Sequence, residues 1–279
     1  MLVTFYGVRG SIPTPGPKYN KYGGNTACVH VELEDGTDII LDAGTGIRAL
    51  GKKLAAKKTP IHLLLSHNHW DHIQGFPFFI PIYQPYREIT ITPGMTKLEQ
   101  HEAIVKQMSG SYFPVSKDTL NSDIFIKRLP YDVKEWTLGS ATIKRHPMNH
   151  PGGGSCYTIT EGNSKLAYVT DNELYPPYKK DTSFLEFVDF AKNADLLIHD
   201  AQYVVEDMPA KLGWGHSVAE EAVKLALASF ATQLALYSHD PERTDADIDS
   251  IVEHANEIIE IGGADTQCFG AYEGLKIRI

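Results

Sequence analysis

Apolar and polar positions alternate with a period of two over many short stretches of the chain, and each such stretch predicts a β-strand. These stretches are Leu2–Tyr6, Cys28–Leu33, Asp38–Leu41, Ile61–Leu65, Glu88–Thr92, Asp123–Arg128, Ala141–Arg145, Cys156–Thr160, Lys165–Val169, Asp195–His199, Gln233–Tyr237 and Leu275–Ile279. Helical spacing of apolar residues predicts helices over Ile47–Lys57, Thr96–Met108, Phe184–Lys192, Val218–Ser229 and Asp245–Ile261, the last with Thr244 as its N-cap. Strands dominate early and alternate with helices later, which implies an α/β chain with two sheets and helices on the outside. No low-complexity tract, charge block or short-period repeat interrupts the pattern, so a single domain over residues 1–279 is the simplest organisation. Loops rich in Gly and Pro fall at Ser11–Gly24, Phe76–Pro85 and Pro147–Gly154.

Composition narrows the function. The chain has 279 residues, 42% of them hydrophobic, which is enough to build a large core. No apolar run reaches the roughly 18 residues of a membrane span, and Met1–Gly10 reads as a strand and not a signal peptide, so a cytoplasmic location is expected. Cys28, Cys156 and Cys268 lie far apart without a C-x-x-C pair; buried packing is expected of them, not disulfides or thiolate metal binding. The formal net charge of −9 argues against a nucleic-acid polymer as partner, whose binding draws on clustered Lys and Arg. A small anionic substrate fits that charge if metal ions supply the local positive field.

The strongest chemical signal is His67-Asn68-His69-Trp70-Asp71-His72, directly after the predicted strand Ile61–Leu65. Four potential ligands within six residues at a strand exit let one tight loop aim imidazoles at one metal, and Asp71 with His72 at a second. This segment resembles the H-x-H-x-D-H signature of the metallo-β-lactamase superfamily, and further matches follow in order. They are His150 in Asn149-His150-Pro151-Gly152, Asp171 in Val169-Thr170-Asp171, and His239 in Tyr237-Ser238-His239-Asp240. The resemblance implies a four-layer αββα sandwich and a binuclear centre of two divalent ions, with zinc expected and manganese or iron as alternatives. It assigns His67, His69 and His150 to the first ion, Asp71, His72 and His239 to the second, and Asp171 to the bridge.

A second set, His199-Asp200-Ala201 and Gly213-Trp214-Gly215-His216-Ser217, resembles elements of ribonuclease Z and related phosphodiesterases. By that resemblance His216 contacts the scissile phosphate and helps the leaving group depart, while Asp200 orients it; the family pattern has Glu where this chain has Asp200. A competing assignment makes His216, not His239, the last metal ligand; the polar run Asp240–Asp245 favours His239. Asp42 in Asp42-Ala43-Gly44-Thr45-Gly46 resembles the family's support for the metal loop. Arg9 and Asn25 are candidates for substrate contact, with turn formation as the alternative. The glycine run Gly152–Gly154 either admits a phosphate to the backbone or permits a sharp turn. The aromatic stretch Phe76–Tyr86 packs in the core or walls a pocket that stacks a nucleobase.

Together these residues predict a metal-dependent hydrolase in which Asp71 orients the nucleophile and His216 assists departure. Ribonuclease Z enzymes of the bacterial type carry a long arm between the third and fourth motifs, whereas here only Pro151–Thr170 lies between His150 and Asp171. A small phosphodiester is therefore expected, a 3′,5′-cyclic nucleotide such as cAMP or cGMP first. The alternatives are RNA processing of the ribonuclease Z type and hydrolysis of a lactone, thioester or β-lactam; a non-catalytic metal-binding partner is disfavoured by the intact ligand set. Relatives among phosphodiesterases imply a homodimer.

Overall fold

The computed structural model describes residues 1–96 and 101–279. Among the described residues fourteen strands form two seven-stranded sheets. The first contains β1 (Leu2–Gly7), β2 (Cys28–Glu32), β3 (Asp38–Leu41), β4 (Ile61–Leu64), β5 (Glu88–Thr92), β6 (Asp123–Ile126) and β14 (Lys276–Arg278), in the order β14-β1-β2-β3-β4-β5-β6. The second contains β7 (Glu135–Leu138), β8 (Ala141–Pro147), β9 (Ser155–Glu161), β10 (Ser164–Val169), β11 (Leu196–Asp200), β12 (Gln233–Tyr237) and β13 (Gln267–Gly270), in the order β13-β12-β11-β10-β9-β8-β7. In each sheet an antiparallel half passes into a parallel half: β3 to β6 run parallel in the first, and β10 to β13 in the second.

The period-two pattern explains the layers. Val29, Val31, Ile39, Leu41 and Leu64 of the first sheet meet Ile159, Leu166, Tyr168, Ile198 and Tyr237 of the second in one shared core. The alternate residues face outward: Ile40, Leu63 and Leu65 pack under α1 (Ile47–Leu54), through Ile47, Leu50 and Leu54. On the other side Ala167, Leu197, Leu234 and Leu236 pack under α4 (Phe184–Ala191), α5 (Ala219–Ala228) and α6 (Asp245–Ile261). Each fully buried Leu, Ile or Phe contributes roughly 1.5–3 kcal/mol. The result is the expected αββα sandwich. Two short turns, α2 (Trp70–Ile73) and α3 (Ala103–Lys106), are the remaining α-helices among the described residues. Of the predicted helix Thr96–Met108, residues 97–100 lie outside the described residues, and the described part forms the single turn α3.

The three cysteines are buried and free, as expected. Among the described residues no helix is long and apolar enough to cross a membrane.

The topology also sets where chemistry collects. Strands β8, β10, β11 and β12 all end at one rim of the second sheet, because β8 and β10 both run antiparallel to β9 and β11 and β12 run parallel to β10. Polar loops leaving the carboxyl ends of such strands converge on a common crevice.

Candidate metal centre

The loop after β4 carries His67, His69, Asp71 and His72, the loop after β8 carries His150, and the residue two past β10 is Asp171. They meet on the rim. The ring of His67 stands 4.4 Å from His69, 4.2 Å from His72 and 4.8 Å from His150, centroid to centroid. Two groups of donor atoms, each within 4.8 Å, are His67/His69/His150 and His67/His72/Asp171. His72 Nε2 lies 3.0 Å from Asp171 Oδ2 and 3.4 Å from Asp71 Oδ2.

Three of the imidazoles are oriented by their other nitrogen, while His69 Nδ1 faces His150 Nε2 at 3.0 Å. His72 Nδ1 is 2.9 Å from Asp42 Oδ2, and His150 Nδ1 donates to the Gly215 carbonyl at 2.8 Å. His67 Nδ1 bonds Ser66 Oγ at 3.0 Å, and its buried Nε2 has no hydrogen-bond partner. A buried imidazole nitrogen without a partner, aimed among two histidines and a carboxylate, fits a divalent cation. Burial holds His67 well below the usual imidazole range and His150 near 4, so both offer lone pairs at neutral pH. Burial also opposes charge on His72, yet Asp171, Asp71 and Asp42 outweigh it and raise its pKa. Asp171 is held well below the carboxylate range because, despite burial, the field of His72 and its neighbours favours its charge.

Beside this group sits the predicted pair. His216 Nδ1 is 3.0 Å from Asp200 Oδ2, which also accepts the backbone N–H groups of Asn172 and Ser217 at 3.1 Å. The ring of His216 stands 5.3 Å from that of His150, and its donor atom groups with those of His150 and Asp171. Burial opposes protonation of His216, but Asp200 and Asp171 raise its pKa to about 9.

Sequence reasoning missed Glu173, whose carboxylate accepts the N–H groups of Gly213 and Gly215 at 2.9 Å each and so holds the His216 loop. Its place two residues beyond Asp171 was the available signal. Gly215 is required there: it has a φ of 92°, and a Cβ would lie 2.3 Å from His150 Nδ1.

The remaining candidates from the sequence stand apart from this group or divide. His239 is not brought into the group: its Nε2 donates to the Ala271 carbonyl at 2.9 Å, and its ring packs edge-on against Tyr22. The physical reason is a left-handed residue, Ser238 (φ 59°), which turns the chain at the end of β12. Arg9 is fully buried and ties the loop by donating to the carbonyls of Gly23, Asp240 and Arg243, so it does not face a substrate. Asn25 is likewise engaged, with Glu273, through its backbone and side-chain amides. The aromatic stretch divides: Phe76 and Phe79 are buried, whereas Phe78 joins Trp70, Tyr112 and Phe113 in a groove of about 800 Å³. Asn68 lines both this groove and the small cleft beside His67 and His69.

The profile of the β-lactamase superfamily domain matches residues 37–239. Over its whole length the chain is similar to the Ribonuclease Z of Haloarcula marismortui, 25% identical over 315 aligned positions that cover 97% of that protein. In structure it is similar to the metallo-β-lactamase fold protein YhfI from Bacillus subtilis, at 19% identity and a TM-score of 0.72, covering 99% of this chain and 98% of that one. The short form of human tRNase Z is similar at 17% identity and a TM-score of 0.63, covering 100% and 99%. Relatives named as ribonucleases run against the expectation, drawn from net charge, that a nucleic-acid polymer is an unsuitable partner.

Proposed function

The chain belongs to the β-lactamase superfamily, and from that premise we propose that it is a metal-dependent hydrolase of phosphodiesters. His67, His69, His150 and Asp171 would hold one divalent ion, and Asp71, His72 and Asp171 a second. Such ions supply Lewis-acid charge for phosphoryl oxygens and make bound water acidic near neutral pH. The observation that carries the phosphodiester reading is the Asp200–His216 pair on the same rim, with its 3.0 Å contact. Asp200 fixes His216 Nδ1, so the opposite nitrogen presents a proton toward a departing alkoxide. Asp71, anchored by the Ser11 N–H at 2.8 Å, is placed to orient the attacking water. The groove of Trp70, Phe78, Tyr112 and Phe113 offers ring faces for a nucleobase next to the scissile phosphate.

RNA stands first among the substrates, because relatives named Ribonuclease Z align along the full chain. A cyclic nucleotide is the second reading. It is favoured by the segment between His150 and Asp171, in which one glycine turn and the β9–β10 hairpin use the whole length and leave no gripping arm. Hydrolysis of a tRNA precursor, cAMP, a generic diester and a lactone by purified protein separates these readings. Replacing Asp71 with Ala is expected to abolish turnover, and His216→Ala to lower kcat by about 10²–10⁴-fold with little change in KM. Turnover of the lactone alone, unaffected by His216→Ala, would overturn the assignment.

A further inference from the structure

Lys211 lies on the loop that leads to His216, and among the described residues no carboxylate pairs with its ammonium. Two rings hold it instead. Its Nζ stands 4.1 Å from the ring centroid of Trp214 and 5.5 Å from that of Tyr203, both within the range of attraction between a cation and an aromatic face. Asp207, whose carbonyl accepts the Lys211 N–H at 3.3 Å, spends its carboxylate on Arg243 at 2.6 Å. In a chain of net charge −9 carboxylates are abundant, so an ammonium seated on rings keeps its charge for another anion.

Its place is set by the candidate centre. The buried Tyr203 ring meets His216 edge-on at 5.6 Å, and the His216 ring stands 5.3 Å from that of His150. Trp214, exposed, directly precedes Gly215, where an added Cβ would lie 2.4 Å from Pro151 Cδ. Glu173 binds the N–H groups of Gly213 and Gly215 on either side of Trp214, so the ring is fixed to the rim. Contacts thus run outward from His150 to His216 to Tyr203 to Lys211, past the histidine placed to assist the leaving group. The half-buried lysine extends from its rings on a flexible stem. Resting on the phosphodiester reading above, we infer that Lys211 forms a subsite for a second phosphate, the one flanking the scissile phosphate on the leaving-group side, and that Trp214 positions its ammonium. A cyclic nucleotide has a single phosphate and leaves this subsite empty, whereas a strand of nucleotides fills it.

The test reads binding. Adenosine 3′,5′-bisphosphate carries both phosphates on one nucleoside, whereas 3′-AMP and 5′-AMP carry one each. Calorimetric titration of the zinc-loaded protein is expected to show the bisphosphate binding about 10-fold tighter than either AMP, an advantage that shrinks as salt is raised. Lys211→Met is expected to abolish that advantage. Trp214→Ala is expected to reduce it and Trp214→Phe to restore it, because a phenyl face still seats the ammonium. An advantage that persists in Lys211→Met, or none in the natural chain, would overturn the subsite. Hydrolysis of bis(p-nitrophenyl) phosphate by the natural chain, measured in parallel, would then leave the phosphodiester reading standing. Absence of that hydrolysis would remove the reading itself, and the subsite with it.

Discussion

Asp42 shows how much of the centre depends on one side chain behind it. It sits in left-handed backbone, φ 62°, a conformation that Asp tolerates better than most residues. Its carboxylate accepts from Ser66 N at 2.7 Å, Ser66 Oγ at 2.8 Å and Tyr168 Oη at 2.8 Å, and faces His72 Nδ1 at 2.9 Å. One group thus joins the end of β3, the metal loop and the second sheet. Asp42→Asn is expected to weaken metal retention by about 10–100-fold in a chelator competition, since His72 loses its orienting partner. A second prediction concerns Glu221, in the first turn of α5, whose carboxyl burial lifts to about 7. Its folded pKa lies above the ordinary carboxyl value, so the folded state keeps the proton and stability falls as pH rises from about 4.5 through about 7. Glu221→Gln is expected to stabilise the protein more at pH 8 than at pH 4, and equal gains in thermal melts at both would refute this. At this scale the contiguous His67–His72 motif was legible because every ligand lies in one loop. The Ser238-His239 pair was not, since a left-handed turn at the strand exit exchanges which of two neighbours faces the centre.

Helix α6 matches the span expected from the sequence, and its cap explains why. Thr244 accepts from Asp247 N while Asp247 returns to the Thr244 N–H, a reciprocal cap written in the sequence. Thr244→Ala is expected to cost about 1 kcal/mol in urea unfolding. The predicted strands were recovered with ends shifted by at most two residues, but β7 and β13 were missed. Both are four-residue edge strands with partly exposed alternate positions, so little apolar signal marks them. A similar lesson comes from His30, Glu32 and Asp38, donors near enough to suggest a cation. Lys57 Nζ already occupies that place, 2.9 Å from both Glu32 Oε1 and Asp38 Oδ1. Lys57→Met is therefore expected to destabilise the fold by leaving buried Asp38 without its cation, a loss visible as a lower melting temperature.

At the scale of the whole molecule, the candidate metal centre draws on loops from both sheets, so an ion bound there would add to folding stability by mass action. Chelation is expected to lower the melting temperature of the natural chain, and to do so much less in His67→Ala. The rim placement was legible from strand-end motifs, while the pairing of sheets needed long-range contacts that no local pattern records. One of those pairings has a consequence for how the chain is made. Strand β14, the last of the first sheet, lies against β1, with Leu2, Val3 and Thr4 opposite Arg278, Ile277 and Lys276. During synthesis at about 5–20 residues per second, β1 emerges on the order of tens of seconds before its outer neighbour. Throughout that interval its backbone donors and acceptors form an open edge, the kind of template that recruits strands from other nascent chains. Until translation delivers β14, that edge is open to self-association on the ribosome.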